Sequence, residues 1–432
     1  MNNKRIFKNA AWIVGCKIFQ ALLGLVVTML SARYLGPSGY GLINYAASIV
    51  AFVVPVMQLG LNSTLVQEIV NDPDREGEIL GTSIAVNLVS SVFCILGIVF
   101  FSAIANRGET VTTAVCALYS IQLVFQSLEL IQCWFQAKLL SRYTAITMLV
   151  AYGVTAAYKI LLLILGSSVY WFAVAQALDF GIIGVTLLII YRKVGTARLS
   201  FSWQLARKLF SRSKYYIVSS LMVTVFAQTD RIMLKAMVDE AAVGYYSAAI
   251  SCATMTGFVF VAIIDSARPG IFESARASAS SFEKSVSALY CVIIWLSLVQ
   301  CAGITFFAEL IVSILYGSAY APTVGTLRLV VWYTTFSYLG AVRNIWILAE
   351  GKQKYLWIIN LSGAGANVIL NALMIPVWGI NGAALASLIT QIFTNVIISF
   401  LLKPIRPNAM LMLRGLNLRQ LLPFITKRDS EL

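Results

Sequence analysis

Long apolar runs, separated by short polar connections, dominate the sequence pattern. A helix needs about 20 predominantly apolar residues to cross the roughly 30 Å hydrocarbon core of a bilayer. Runs of this length predict twelve transmembrane helices, at residues 11–33, 41–63, 79–104, 111–133, 144–166, 169–191, 215–237, 243–264, 288–310, 323–346, 356–376 and 379–402. The pattern therefore predicts an all-α polytopic membrane protein.

The composition agrees with this pattern and excludes several kinds of active site. Of the 432 residues, 59% are hydrophobic and 12% are charged, against about 45–50% and 25% in soluble domains. The chain contains no histidine, which excludes His-based catalytic triads and His-ligated zinc or haem. It also lacks the Gly-x-x-x-x-Gly-Lys-Ser/Thr loop that binds ATP phosphates. We therefore expect a protein that is not an enzyme and that has neither a metal site nor a cofactor.

Positively charged residues are distributed unevenly between the two sides of the predicted helices. Cytoplasmic loops of membrane proteins retain Lys and Arg. With a cytoplasmic N-terminus, the segments on that side hold 24 of the 32 Lys and Arg residues, and the outer connections hold Arg33, Arg107 and Lys235. We therefore predict that both termini are cytoplasmic. The net charge of +14 then reflects loops that face anionic lipid headgroups, and we expect no nucleic-acid binding.

The longest polar connection divides the chain into two halves. It covers residues 192–214 and contains seven Lys and Arg residues. We predict an N-terminal six-helix bundle over 1–191, this basic cytoplasmic linker, a C-terminal six-helix bundle over 215–402 and a cytoplasmic tail over 403–432. Because six is even, the two halves run in the same direction and form parallel repeats about an axis along the membrane normal.

Neutral polar side chains recur at helical spacing on one face of several predicted helices. Such residues either hydrogen-bond a neighbouring helix, at about 0.6 kcal/mol each, or line a polar cavity. The spacing alone is compatible with both roles. The candidate lining residues are Gln20, Asn44, Gln58, Gln126, Gln228, Asn367 and Asn371.

Eight of the charged residues within the predicted helices should face protein or water, because a charge at the bilayer centre costs about 2.5–3.5 kcal/mol. They are Lys17, Glu129, Lys159, Asp179, Asp230, Arg231, Arg328 and Arg343. Those near helix ends can reach the interface with their long side chains, and others can form ion pairs. Cations outnumber acids by five to three. A water-filled space with this surplus attracts an anion, and arginine offers planar donors suited to phosphate oxygens.

The three acids have a separate interpretation as ion sites. Carboxylates within transport helices commonly belong to coupling-ion pathways. Glu129, Asp179 and Asp230 are therefore candidates for coupling to a proton or sodium gradient, with Glu129 or Asp179 preferred. Asp230 directly precedes Arg231, about 100° around the helix, so an ion pair elsewhere in the bundle explains it equally well.

An acidic segment offers the best case for an enzyme. Residues 64–78 contain Asp72-Pro73-Asp74, a triplet of hard oxygen ligands found at the metal-nucleotide sites of some glycosyltransferases. No soluble nucleotide-binding domain accompanies the triplet, and the predicted outer loops are too short to hold a catalytic module. A solvated acidic loop is the better explanation, and a membrane glycosyltransferase or polysaccharide polymerase stays the less favoured alternative.

Four stretches in a fixed order resemble a known family. They are Arg33–Gly41; Asp230–Leu234 followed by Val243–Ala249; Tyr316–Tyr320 leading to Arg328; and Asn367 with Asn371 before Ile375–Leu385. Together they span nearly the whole chain. The sequence resembles the Wzx-type polysaccharide-transport flippases, which handle lipid-linked oligosaccharides, within the multidrug/oligosaccharidyl-lipid/polysaccharide exporter superfamily.

The resemblance implies two six-helix bundles around a central cavity that work by alternating access. It implies an undecaprenyl-pyrophosphate-linked oligosaccharide as cargo, moved from the cytoplasmic to the periplasmic or outer leaflet of a bacterial cytoplasmic (inner) membrane for surface polysaccharide synthesis. Besides the glycan lipid and membrane lipids, polysaccharide polymerase and chain-length regulator proteins are the expected partners. The candidate residues for the charged head group are Lys17, Lys159, Arg231 and Arg343.

A drug or metabolite exporter of the same superfamily is the main alternative. The extended similarity to polysaccharide-transport stretches, rather than to an exporter signature, makes it the less favoured one. The two classes differ in cargo, since a flippase relocates a glycan lipid and an exporter expels a soluble compound. The sequence indicates neither the glycan structure nor the coupling ion.

Overall fold

The computed structural model describes residues 3–195 and 197–418, with the side chains of 3–22, 63, 212, 214, 215 and 219 outside the description. Every regular element within these residues is a helix, which confirms the predicted all-α class. Lys17 and Gln20 are among the side chains outside the described part, so their predicted roles stay predictions.

The helices form two compact units, Met1–Ile232 and Met233–Leu432. The first unit contains α1 (Asn3–Met57), α2 (Leu65–Asn71), α3 (Glu76–Ala105), α4 (Thr110–Ser120), α5 (Gln122–Gln126), α6 (Ile131–Ala137), α7 (Ser141–Ile164), α8 (Val169–Val194) and most of α9 (Trp203–Met237). The second contains the end of α9, α10 (Glu240–Thr254), α11 (Gly257–Ala277), α12 (Ala279–Leu315), α13 (Thr323–Ala349), α14 (Leu356–Ile392), α15 (Ile398–Leu401) and α16 (Arg406–Arg414). The predicted boundaries of the two membrane bundles stay a prediction.

Large apolar side chains cover much of the surface of each unit. Phe93, Phe100, Ile164, Phe306 and Leu373 are between 65% and 78% exposed. Water disfavours contiguous surfaces of this kind, whereas lipid tails do not. Among the described residues, eight helical spans are long and apolar enough to cross a membrane, and the pair α10–α11, bent by 47°, makes nine. The chain is therefore a multi-pass membrane protein, while the number twelve and the side of the termini stay predictions.

Two pairs of predicted helices are each joined by a kink rather than by a loop. Gly36 lies inside α1 with φ 68° and ψ 176°, between the helices predicted at 11–33 and 41–63. Gly379 lies inside α14 with φ 53° and ψ −128°, between those predicted at 356–376 and 379–402. Glycine adopts positive φ without the steric cost that other residues meet. Both kinks therefore fall at residues that tolerate the sharp change of direction.

The helix predicted at 111–133 is broken in the middle. It consists of α4, α5, a 3₁₀ turn at Ser127–Leu130 and α6. The Ser120 hydroxyl donates to the carbonyl of Ala117, and the Ser127 hydroxyl donates to that of Leu123. Serine bonds of this kind bend helices, and a 3₁₀ stretch within a helix often forms a hinge. The polar residues of this predicted helix therefore lie on an irregular backbone.

The second half of the predicted polar linker is helical, which the sequence pattern did not indicate. α9 begins at Trp203 and extends through the residues assigned to the linker. Leu205, Leu209 and Ser213 are buried at a spacing of four, whereas Arg207 and Lys208 are exposed. This spacing places Leu205, Leu209 and Ser213 on one buried face of α9 and leaves Arg207 and Lys208 exposed.

Each unit has its own apolar core. In the first unit, Leu65, Leu80, Phe135 and Leu187 bring α2, α3, α6 and α8 together. In the second unit the core includes Phe260, Tyr290, Trp346, Ile359 and Leu411, which join α11, α12, α13, α14 and α16. The polar clusters described below lie within the individual units, beside these cores.

Candidate functional site

A polar cluster surrounds Arg231 in the first unit. Gln228 and Arg231 lie three residues apart on α9, and Arg231 Nη1 donates to Gln228 Oε1 at 2.7 Å. The Ser48 hydroxyl of α1 lies 3.1 Å from the same oxygen and 2.8 Å from the carbonyl of Asn44. Gln228 thus connects a cation on α9 to the polar face of α1. This contact joins the side chains of two predicted residues, Gln228 and Arg231, whereas Asn44 takes part only through its backbone carbonyl.

Two further residues extend the cluster around Arg231. Tyr119 on α4 interacts electrostatically with Arg231, and the side chain of Gln122 lies near the Tyr119 hydroxyl. Tyr119 is not among the candidate residues predicted from the sequence. Its spacing was informative, because Tyr119, Gln122 and Gln126 lie at i, i+3 and i+7 and share one helical face. A phenol, amides, a hydroxyl and a guanidinium together offer donors and acceptors for sugar hydroxyls and for an anion.

A second polar cluster contains both preferred ion-coupling acids. Thr155 Oγ1 on α7 donates to Asp179 Oδ1 on α8 at 3.3 Å. Lys159, one turn after Thr155, attracts Asp179 without an ion pair within 4.0 Å in the described part of the chain. Glu129 accepts a hydrogen bond from Gln132 at 2.9 Å and interacts electrostatically with Asp179. The fold therefore places Glu129 and Lys159 within electrostatic range of Asp179.

Helix α1 approaches this second cluster at Gly24. The Tyr152 hydroxyl of α7 occupies the space in which a Cβ at position 24 would lie. Tyr152 also interacts electrostatically with Asp179. Gly24 therefore allows α1 to pass close to the carboxylate cluster, which explains why a small residue stands on the polar face of this helix.

In the second unit, the predicted asparagines form a buried network. Asn371 Nδ2 donates to Asn367 Oδ1 at 3.1 Å, and Asn367 Nδ2 lies 3.5 Å from Ser387 Oγ. The Tyr246 hydroxyl of α10 lies 3.4 Å from the same Ser387 oxygen. Both asparagines are buried. In this arrangement they connect α10 with the two segments of α14 on either side of Gly379.

Arg343 lies apart from these clusters, deep in the second unit. Only 3% of the residue is exposed, and its Nη1 donates to the carbonyl oxygen of Thr394 at 2.6 Å. Thr394 belongs to a π-helical turn, Phe393–Ile397, that joins α14 to α15. A π turn changes the i→i−4 hydrogen-bond pattern and occurs often at functional sites. The Arg343 side chain therefore contacts a carbonyl on this irregular segment, and its predicted contact with the head group stays a prediction.

The π-helical turn packs tightly against α13 at Gly340. The Asn395 amide occupies the space of an added Cβ at this position. We expect Gly340→Ala to lower stability by about 1–3 kcal/mol, since overpacking forces side chains or backbone to shift. The measurement is the thermal unfolding midpoint in detergent. Gly303→Ala is the control, because its Cβ meets nothing within 4 Å on α12 and should be neutral or stabilising.

The remaining predicted residues occupy varied positions. The Asn44 amide donates to the carbonyl of Tyr40, one turn earlier in its own helix, at 2.8 Å. Gln58 and Gln126 are half-buried in the first unit, and Asp230 is buried with 5% exposure. Lys235, for which the sequence suggested an interfacial position, forms an ion pair with Glu240 at 2.9 Å.

The acids around the Asp72-Pro73-Asp74 triplet are held in ion pairs. Arg75 lies 2.8 Å from Glu78 and 3.9 Å from Asp72, and Lys138 lies 2.6 Å from Glu76. Within the described residues, no group of three His, Cys, Asp or Glu side chains is placed to hold a metal ion. These ion pairs give Asp72, Glu76 and Glu78 cationic partners, and the expected solvated acidic loop stays a prediction.

Comparison with known proteins identifies the family. A family model described as polysaccharide biosynthesis protein matches residues 6–274, more than half of the chain. The chain belongs to the polysaccharide biosynthesis protein family. This membership confirms the resemblance drawn from the sequence.

Two curated relatives of this family member align along most of its length. The capsular polysaccharide biosynthesis protein CapF of Staphylococcus aureus is 22% identical over 396 residues, covering 89% of this chain and 96% of the relative. A probable low-salt glycan biosynthesis flippase of Haloferax volcanii is 23% identical over 393 residues, covering 88% and 80%.

Solved structures show that this family member shares a transporter fold. The lipid II flippase MurJ, in an inward closed conformation, matches with a TM-score of 0.69 and 15% identity, covering 96% of this chain and 93% of that one. An inward-facing multidrug resistance MATE family transporter matches with a TM-score of 0.67 and 14% identity, covering 90% and 95%. The fold is therefore that of the superfamily named from the sequence.

Proposed function

We propose that the protein is a flippase for undecaprenyl-pyrophosphate-linked oligosaccharides. In this proposal it moves the glycan lipid from the cytoplasmic to the outer leaflet of a bacterial cytoplasmic membrane, for O-antigen, capsule or exopolysaccharide synthesis. Family membership and a relative named as a glycan biosynthesis flippase support the assignment. The similarity to MurJ supports the same general mode of action on a lipid. A polysaccharide polymerase and a chain-length regulator are the proposed protein partners.

The polar cluster around Arg231 is the observation that carries this proposal. A sugar-pyrophosphate head group cannot cross hydrocarbon unaided, because its charges and hydroxyls would lose their hydrogen bonds to water. Arg231 supplies a planar cation for phosphate oxygens, while Gln228, Ser48 and Tyr119 supply partners for hydroxyl groups. These side chains lie on helices whose outer surfaces are apolar. The head group would therefore exchange water for protein partners.

The proposed transport cycle is alternating access, with residues 1–200 rocking against 201–402. Irregular backbone provides candidate points of flexure inside helices. They are the kinks at Gly36 and Gly379, the 3₁₀ turn Ser127–Leu130 and the π-helical turn Phe393–Ile397. No covalent step is needed, because the cargo changes leaflet and keeps its bonds.

The decisive test follows the glycan lipid across a bilayer. Purified protein in vesicles would receive an undecaprenyl-pyrophosphate-linked oligosaccharide, and its leaflet would be read with an impermeant sugar-modifying reagent. We expect faster movement than in protein-free vesicles, with the lipid unchanged in mass. An altered lipid would instead support a glycosyltransferase or polymerase. A panel of glycans that all move at the protein-free rate would contradict the flippase proposal.

An exporter of drugs or metabolites is the second candidate, and one observation favours it. Several solved structures with this fold are multidrug transporters, including a MATE transporter in complex with a ligand that matches with a TM-score of 0.62. The same vesicles distinguish the two functions. Expulsion of soluble cationic dyes without any movement of glycan lipid would support the exporter.

We further propose that the carboxylate cluster couples transport to a proton or sodium gradient. Glu129 and Asp179 lie on different elements and interact electrostatically, and Lys159 interacts electrostatically with Asp179. Binding of a cation at these acids would change the local balance of charge. That change would favour one packing of α7 and α8 over another.

Removing the charge of either acid should uncouple transport from the gradient. We expect Asp179→Asn and Glu129→Gln to abolish acceleration by an imposed proton or sodium gradient, while the basal rate persists. The rate ratio with and without each gradient is the measurement. Glu309→Gln changes an exposed acid on α12 and is the control. Unchanged gradient dependence in both cluster variants would exclude this role.

A further inference from the structure

An apolar groove runs along the surface of the first unit. It has a volume of about 820 Å³ and lies between the end of α1, one face of α3 and the segment before α9. Val56 and Leu59 line one side, Val89 and Phe93 line another, and Phe201 with Trp203 closes one end. Most of these side chains are exposed. An open apolar surface of this kind is suited to contact with lipid chains.

The closing wall is fixed in place by the preceding segment, residues 197–202, here called the strap. Ser200 N donates to the carbonyl of Gly77, and Ser202 N donates to Thr82 Oγ1 at 3.0 Å. A Cβ on Gly81 would lie only 2.5 Å from the Ser200 carbonyl oxygen, so the strap fits closely against α3. Phe201 therefore has a defined position in the groove wall.

Three cations lie in the strap and in the first turns of α9, next in sequence to the groove residues Phe201 and Trp203. Arg198, Arg207 and Lys208 are exposed, and none of them forms an ion pair with another described residue. Arg207 lies one helical turn after Trp203 and shares its face of α9. The acids at the start of α3 are already paired, Glu78 with Arg75 and Glu76 with Lys138. The acids near the strap therefore already have cationic partners, whereas Arg198, Arg207 and Lys208 have no ion-pair partner among the described residues.

We propose that this groove and the cations at its end form a binding site for an anionic phospholipid. An acyl chain would lie along Val89 and Phe93, and the phosphate would meet Arg198, Arg207 and Lys208. Basic clusters next to a membrane-spanning helix attract anionic headgroups, and Trp203 has the amphipathic character typical of the interface. Zwitterionic lipids fit less well, because their ammonium group would face cations and find the nearby acids occupied. This site is separate from the cargo cluster around Arg231.

Trp203 provides a direct test of lipid binding. Its fluorescence is obtained by subtracting the spectrum of Trp203→Phe, which removes the signal of the other tryptophans. Quenching would be compared in vesicles that contain brominated phosphatidylglycerol or brominated phosphatidylcholine at equal mole fraction. We expect the phosphatidylglycerol to quench at least about fivefold more effectively. Equal quenching by the two lipids would overturn the proposal.

Charge variants test which residues hold the phosphate. We expect the triple variant Arg198→Gln, Arg207→Gln, Lys208→Gln to lose the preference for phosphatidylglycerol. The matched control, Arg276→Gln, Lys284→Gln, Lys403→Gln, changes three exposed cations in the second unit and should keep it. Ala85→Leu, which fills the groove without a change of charge, should reduce quenching by both lipids.

A competition measurement separates a phospholipid from the cargo lipid as occupant. Unbrominated undecaprenyl phosphate at a small mole fraction should leave the Trp203 quenching by phosphatidylglycerol unchanged. If it abolishes the quenching, the groove belongs to the isoprenoid chain and the proposal is wrong. The readout requires no transport, so the result is independent of the flippase assignment.

Discussion

Replacing Arg231 by glutamine is expected to slow movement of the glycan lipid by about 10–100-fold. A hydrogen bond to a charged group contributes about 1.5–3 kcal/mol, and each 1.4 kcal/mol corresponds to a factor of ten. Gln228 already holds the guanidinium in place, so the cation is preorganised for an anionic head group. The measurement is the initial rate of leaflet exchange per protein molecule in the vesicle assay.

Two further variants separate the charge of Arg231 from its shape. Arg231→Lys keeps the charge but loses the planar pair of donors, so we expect an intermediate rate. Arg328→Gln removes an exposed arginine of α13 and should leave the rate unchanged. If Arg231→Gln transports at the full rate while Arg328→Gln does not, the head-group site lies elsewhere.

The apolar runs predicted the regular helices well, and the irregular ones poorly. The helices expected at 79–104 and 169–191 match α3 and α8 to within three residues at each end. Membrane-length apolar runs leave few alternatives, which explains this success. The break between α4 and α6 contains no Gly or Pro, and it depends on serine hydroxyls that could equally have faced another helix. The hydrophobicity pattern does not indicate which hydrogen-bond acceptor such a serine hydroxyl takes.

The residue types of the candidate site and their depth in the bilayer could be predicted from the sequence. Which of these residues lie near one another could not. Depth in the bilayer selected Glu129, Lys159 and Asp179, and the fold then brings these three side chains together. Their mutual proximity depends on the rotation of the 3₁₀ turn, α7 and α8 about their own axes, which the packing of the whole bundle determines. Arg343 illustrates the converse, because its depth suggested a wet surface whereas its partner is a backbone carbonyl. A π-helical turn leaves no recognisable sequence pattern, so this partner could not be foreseen.

Replacing Arg343 by methionine is expected to raise thermal stability and to lower the transport rate at the same time. Its Nη1 and Nη2 donate to Thr394 and Asn344, but Nε has no hydrogen-bond partner. No acid within the described residues forms an ion pair with it. A buried charge without an ion partner keeps a desolvation cost of about several kcal/mol, which an apolar side chain of similar size does not have. We therefore expect a higher unfolding midpoint in detergent and at least a roughly tenfold slower leaflet exchange.

The signs of the two effects, on stability and on transport rate, distinguish a role of Arg343 in the fold from a role in transport. A residue that only supports the π-helical turn would lower the unfolding midpoint when replaced, because the Thr394 carbonyl would lose its donor. Asn344→Ala is the control, since it removes one acceptor and keeps the charge, and we expect little change in stability or rate. Functional residues often lower the stability of the folded protein. A destabilising buried cation is therefore expected where the cation binds a partner in another state of the transport cycle. A methionine variant with both higher stability and slower transport would therefore indicate that Arg343 meets an anion during the cycle, whereas a lower midpoint would assign it to the fold alone.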